Sequence, residues 1–120
     1  MDLHLRSALM VARPAIDRTL AALADPTRRQ VIEQLRVRPR RAGELSAALD
    51  ASPPAMSRHL RVLRRSGLVD ERGDPTDGRL RVYALRREPF DALTGWLAEI
   101  EGYWTDQLAS FAALVDREEP

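Results

Sequence analysis

Apolar positions recur at helical spacing over most of this chain and at strand spacing over one short stretch. In PAIDRTLAALA, residues 14–24, Ile16, Leu20 and Leu23 fall at spacings of four and three, with Pro14 suited to a first helical turn. A second helix opens at DPTRRQVIEQL, where Asp25 is placed to cap, Pro26 takes the first position and Val31, Ile32 and Leu35 form the stripe. Pro39 breaks helicity, and AGELSAAL then sets Leu45 and Leu49 on a third helix. The turn DASPPA follows, with Ser52 as cap and Pro53 or Pro54 at the first position of a fourth helix ending at Gly67. Two helices joined by so short a turn predict a helix-turn-helix.

Beyond Gly67 the period becomes two. LVDER alternates, GDPTDG is dense in turn formers, and LRVYAL alternates again, which predicts a β-hairpin. From Pro89 the helical pattern returns: Phe90, Leu93, Leu97, Ile100, Trp104, Leu108, Phe111 and Val115 form a stripe that Trp96 and Tyr103 widen. That helix of roughly 27 residues carries more apolar surface than a small helical core can cover, so a partner helix is expected to cover it. The fold class predicted is mainly α with a small β-hairpin, a winged helix-turn-helix of order α-α-α-α-β-β-α with a long C-terminal dimerisation helix. Residues 1–13 are expected as a mobile N-terminal segment, 14–116 as one domain and 117–120 as a tail; Met10 is an alternative start to Met1.

Charge sharpens the picture. The net charge of +1 hides a basic middle, with fifteen arginines against seven acids over 28–87, and an acidic end, with one arginine against eight acids over 88–120. The two parts are expected to face different partners. There is no lysine, an absence that GC-rich coding explains more simply than selection, but it leaves every cation able to bond bidentately. At 100° per residue, Met56, Leu60 and Leu63 share one face of the fourth helix. Pro54, Arg58, Arg61 and Arg65 lie opposite, with Ser57 on the flank. A cationic stripe opposed to an apolar one suits the major groove of double-stranded DNA, where arginine bonds guanine edges. Ser52 and the free amides of the helix start are expected to meet a phosphate. Arg40 and Arg41 before the third helix and Arg79 and Arg81 on the hairpin add basic elements beside it. A merely solvated basic face is the bland alternative, which these flanking elements weaken.

Several classes are excluded. With no cysteine there is no disulfide and no thiolate site, and His4 and His59 are the only imidazoles, too few for an ordinary transition-metal site. No cofactor is expected. No stretch approaches the ~20 apolar residues of a membrane span, and the start lacks a signal-peptide pattern, so a cytoplasmic chain with no membrane partner is expected. Neither a nucleophile motif nor a phosphate-binding glycine loop points to an enzyme. Trp96, Tyr103 and Trp104 could line a pocket for an unidentified small-molecule effector, although packing at a dimer interface explains them more simply.

The segments LADPTRRQVIEQL, AGELSAALDASPPAMSRHLRVLRRSGLV, DGRLRVYAL and WLAEIEGYW together resemble the ArsR/SmtB family of bacterial winged-helix repressors, over roughly residues 14 to 115. The chain is similar to the branch that lacks metal sites. The resemblance implies a homodimer that binds an inverted-repeat operator and represses transcription, often of its own operon. By position, it puts groove reading on Pro53, Pro54, Ser57, Arg58 and His59, and the wing on Asp77, Gly78, Arg79 and Arg81. The dimer interface is assigned to Ile16 and Leu20 with Leu93, Trp96, Leu97, Ile100, Tyr103, Trp104, Leu108 and Phe111. Two departures stand out: Pro53 replaces a frequent glutamine and cannot read a base, and Arg41 replaces a serine or threonine cap. The competing function is a protein-interaction module whose arginines meet an acidic partner.

Overall fold

Local signals bound the central helices: a side-chain cap opens the second and the fourth, and a left-handed residue follows the third and the fourth. The computed structural model describes residues 3–118, with side-chain surroundings described for 13–117. Its elements are α1 (Leu3–Ala22), α2 (Pro26–Val37), α3 (Ala42–Leu49), α4 (Pro53–Arg65), β1 (Val69–Gly73), β2 (Arg81–Leu85) and α5 (Glu88–Glu118). Asp25 caps α2 by accepting from the Arg28 N–H at 3.1 Å. Ser52 caps α4 through the Ala55 N–H at 3.3 Å. Gly67, at φ 78°, ends α4, and the Leu68 N–H returns to the Leu63 carbonyl at 3.0 Å.

The predicted order of elements holds, with one difference at the start. α1 begins at Leu3, eleven residues before the expected first turn, so most of the segment expected to be a mobile lead-in is helical and Pro14 lies inside the helix. Pro14 lacks the N–H that would bond the carbonyl four residues back, a loss a long packed helix absorbs. At the other end Arg117 and Glu118, the first half of the expected tail, belong to α5; its remaining residues, Glu119 and Pro120, lie outside the described residues, as do Met1 and Asp2.

The core lies where α2, α3 and α4 converge on the wing. Val31, Leu35, Leu45, Met56, Leu60 and Leu63 are buried together with Leu68 and Val69 at the start of the hairpin. The strands β1 and β2 pair antiparallel with Glu71 opposite Tyr83. Arg40 adds a single rung outside β2: its N–H donates to the Tyr83 carbonyl at 3.1 Å, and the Tyr83 N–H donates to its carbonyl at 2.7 Å. This rung fixes the wing against the entry to α3.

α1 packs on α5 as a separate layer. From Leu97 to Arg117 every side chain of α5 is exposed, and the radius of gyration is 20.2 Å, against roughly 14 Å for a compact chain of this length. The longest extent, 73 Å, fits a chain with a 31-residue helix whose second half is exposed on all sides. Among the described residues no helix is long and apolar enough to cross a membrane.

Candidate nucleic-acid interface

The burial of Met56, Leu60 and Leu63 fixes the rotation of α4, and the opposite face follows from helical geometry alone. Pro54, Ser57, Arg58, Arg61 and Arg65 are all exposed on it. Arg58, Arg61 and Arg65 stand without a carboxylate partner among the described residues. With Arg64, which the helical stripe did not single out, Arg61 and Arg65 line an open hollow of about 340 Å³. Arg64 is held by Glu71 at 2.9 Å, whereas the unpaired guanidiniums of Arg61 and Arg65 are free to take anionic oxygens with no internal ion pair to break first.

The other basic residues singled out from sequence are already engaged. Arg41 approaches Asp74 of the wing loop at 3.7 Å, while the Glu44 carboxylate accepts the Arg41 N–H at 3.3 Å, the reciprocal half of a capping box whose other half, a serine or threonine oxygen accepting from the first turn, an arginine cannot supply. Glu44 is held below its ordinary range, first by the bond from the Arg38 side chain and then by that from the Arg41 N–H. Arg79 bonds Asp77, whose carboxyl is lowered mainly by that side chain, and Gly78 is exposed beside it. Asp74 organises the tip by accepting the Thr76 hydroxyl and N–H, which lower its pKa. Arg81 reaches Glu71 at 3.3 Å.

Three expectations change. The amides of the α4 start are not free: Pro53 and Pro54 have no N–H, the Ala55 N–H is taken by Ser52, and the Met56 N–H bonds the Ser52 carbonyl at 2.9 Å. Ser52 retains only its own N–H and hydroxyl proton as donors toward a phosphate. Arg40 is half-buried, its Nε donating to the Gln34 carbonyl at 3.1 Å, so it serves the wing rung instead of standing free beside α3. His59 is half-buried against α2, with Nδ1 3.5 Å from Arg28 Nη1 and 4.0 Å from Asp25 Oδ1. Its side chain is 21% exposed and turned toward α2.

That contact reveals a cluster the sequence reading left unassigned. Arg28 also donates from Nε to the Ala22 carbonyl at 2.6 Å, and Arg29 from Nη1 to the Leu23 carbonyl at 2.8 Å. Two arginines of the first turn of α2 thus satisfy the orphan carbonyls at the end of α1. Asp25 is lowered chiefly by the Arg28 N–H, with His59 a further influence. The signal was present in DPTRR, where two arginines follow a cap by three and four residues, but chain pattern does not say which carbonyls they reach.

The expected interface residues divide. Ile16 is only 6% exposed, so it belongs to the chain's own packing and offers little to a partner. Leu93 and Trp96 are half-buried, in the part of α5 nearer its start. Leu20, Leu97, Ile100, Tyr103, Trp104, Leu108 and Phe111 are exposed, and Leu114 and Val115 continue the same face. Tyr103 and Trp104 meet edge to face, with ring centroids 5.6 Å apart, and are open to solvent.

Residues 25–71, which span α2 to the first wing strand, match the family described as bacterial regulatory protein, arsR family. The HTH-type transcriptional regulator Rv2034 of Mycobacterium tuberculosis is 40% identical over 102 residues, covering 85% of this chain and 90% of that protein. The transcriptional repressor SdpR of Bacillus subtilis is 26% identical over 76 residues, 63% of this chain and 81% of that one. The crystal structure of the ArsR family transcriptional regulator RHA00566 superposes with a TM-score of 0.68 at 34% identity, covering 78% of this chain and 93% of its own. With a winged helix-turn-helix, a basic exposed helix and relatives matched over nearly their whole length, this chain belongs to the ArsR family and is a DNA-binding transcriptional regulator, not an enzyme.

Proposed function

We propose that the chain acts as a homodimeric repressor, not controlled by metal, that binds an inverted-repeat operator and regulates its own transcription. The observation that carries this reading is the pairing of two unsatisfied surfaces: free arginines on α4, and an apolar face running along the exposed second half of α5. Joining two α5 helices about a twofold axis covers the second surface and presents two copies of the first. The two α4 helices then enter successive major grooves about 34 Å apart. Ser57 and Arg58, early in the helix, face base edges, while Arg61 and Arg65 neutralise backbone. The acidic face of α5 stays away from the duplex.

Repression is supported by the name of the Bacillus subtilis relative. Independence from metal is supported by the donor supply, two histidines and no cysteine, of which His59 is committed to α2. Fluorescence anisotropy of the purified chain against its own upstream DNA and a shuffled duplex, across a salt series, tests the proposal. Selective binding that weakens steeply with salt is expected. Equal binding to both duplexes would remove autoregulation, and binding to neither, together with capture of a protein partner, would favour an interaction module.

A further inference from the structure

Glu71 lies on β1 between two cations that sequence pattern alone would aim at a phosphate. Its Oε2 is 2.9 Å from Arg64 Nη1 on α4, and its Oε1 is 3.3 Å from Arg81 Nε on β2, so each carboxylate oxygen holds a separate guanidinium. The carboxylate sits low, at 21% exposure, beneath arginines at 53% and 56%. Its cross-strand partner Tyr83 is half-buried and has its pKa raised by burial and by the Glu71 charge. A phosphate that approaches Arg64 or Arg81 therefore competes with a charge already in place.

We infer that Glu71 is a specificity-determining positioning residue: it withholds Arg64 and Arg81 from the DNA backbone and ties the end of the reading helix to the wing. The inference rests on the DNA-binding reading above. Random-sequence binding is almost wholly electrostatic, so two withheld cations lower it more than they lower operator binding, whose base contacts come from the opposite end of α4. The bridge also links α4 to the wing from two elements at once, which holds their angle before DNA arrives.

The test is Glu71→Gln in the full chain, with binding to a random-sequence duplex and to the upstream DNA followed across a salt series. Each freed arginine that reaches a phosphate steepens the salt dependence by about 0.9, so the slope on random duplex should steepen by about 2 and affinity at low salt should rise about tenfold or more. In the wild-type background Arg64→Gln or Arg81→Gln should leave random-duplex binding unchanged, whereas in the Glu71→Gln background each should take back about half of the added slope. Asp50→Asn, in the turn before α4, removes one negative charge that holds no arginine among the described residues and should leave the slope alone. An unchanged slope in Glu71→Gln, or an equal gain in Asp50→Asn, overturns the inference. A wild-type chain that binds no duplex at any salt removes the DNA reading and this inference with it, a result distinct from a binding wild type whose slope the variant does not alter. Thermal melts guard against misfolding, and if Glu71→Gln unfolds, loss of random-duplex binding in the single arginine variants is sufficient to reject the idea.

Discussion

Leu108 gives the sharpest test of the dimer because it is 69% exposed within its own chain. Replacing it therefore disturbs the association and almost nothing else. Burying a whole leucine side chain contributes about 1.5–3 kcal/mol, and the exposed share available to a partner is worth ~1–2 kcal/mol per chain. In a twofold dimer the position occurs twice, so the loss is about 2–4 kcal/mol, or roughly 30-fold to 1000-fold in the dimer dissociation constant. Leu108→Glu adds the cost of burying an unpaired carboxylate, which makes that range a lower bound. Its neighbours one turn away are Trp104, Thr105, Phe111 and Ala112, so the new charge meets no acid on its own helix. Sedimentation equilibrium over a concentration series should show dimeric wild type and monomeric variant, with operator affinity falling as the second reading helix is lost. Glu99→Ala, on the polar face of the same helix, should change neither. A Leu108→Glu chain that still dimerises and binds like wild type would refute the interface.

Three further outcomes are expected. Arg58→Ala should weaken operator binding by about 1–3 kcal/mol if the side chain reads a base, with a smaller effect on random duplex; equal losses on both would make it a phosphate contact instead. Asp25→Ala should cost about 0.5–2 kcal/mol in urea unfolding at neutral pH, through the lost cap of α2. Because the folded carboxyl lies below its ordinary value of 3.8, that stabilisation is complete above 3.8 and fades as pH falls through the lowered value; a gap between wild type and variant that persists undiminished in stronger acid would reject the cap as its source. Asp50 occupies the left-handed region at φ 51° in the turn before α4, so Asp50→Val should be about 1–2 kcal/mol less stable than Asp50→Gly, and equal stabilities would show that the turn relaxes.

Much of the fold was legible because caps, prolines and apolar periods agree from α2 to β2. Asp25, Ser52 and Gly67 each mark a boundary by a local bond that depends only on near neighbours, and the structure places those boundaries there. The start of α1 was misread because Pro14 is equally good chemistry for a first turn and for a tolerated interior position. The periodicity upstream, Leu5, Leu9, Ala12 and Ile16 at spacings of four, three and four, was the better guide.

The candidate site was less legible, for a physical reason. Helical geometry says where a side chain on α4 points but not what else points at it. Arg40, Arg81 and His59 are chemically apt for phosphate, yet each side chain is engaged elsewhere in the fold: Arg40 donates to the Gln34 carbonyl, Arg81 meets Glu71, and His59 meets Arg28. Arginine content alone overstates the cation available to DNA, because a guanidinium already holding a carboxylate must give up one charge to reach another. What remains free on the reading helix, Arg58, Arg61 and Arg65, is a narrower strip than the basic middle of the chain suggests. A narrow free strip flanked by neutralised cations favours a protein that leaves random DNA readily, and for a chain that must find one site among many that balance is the useful one.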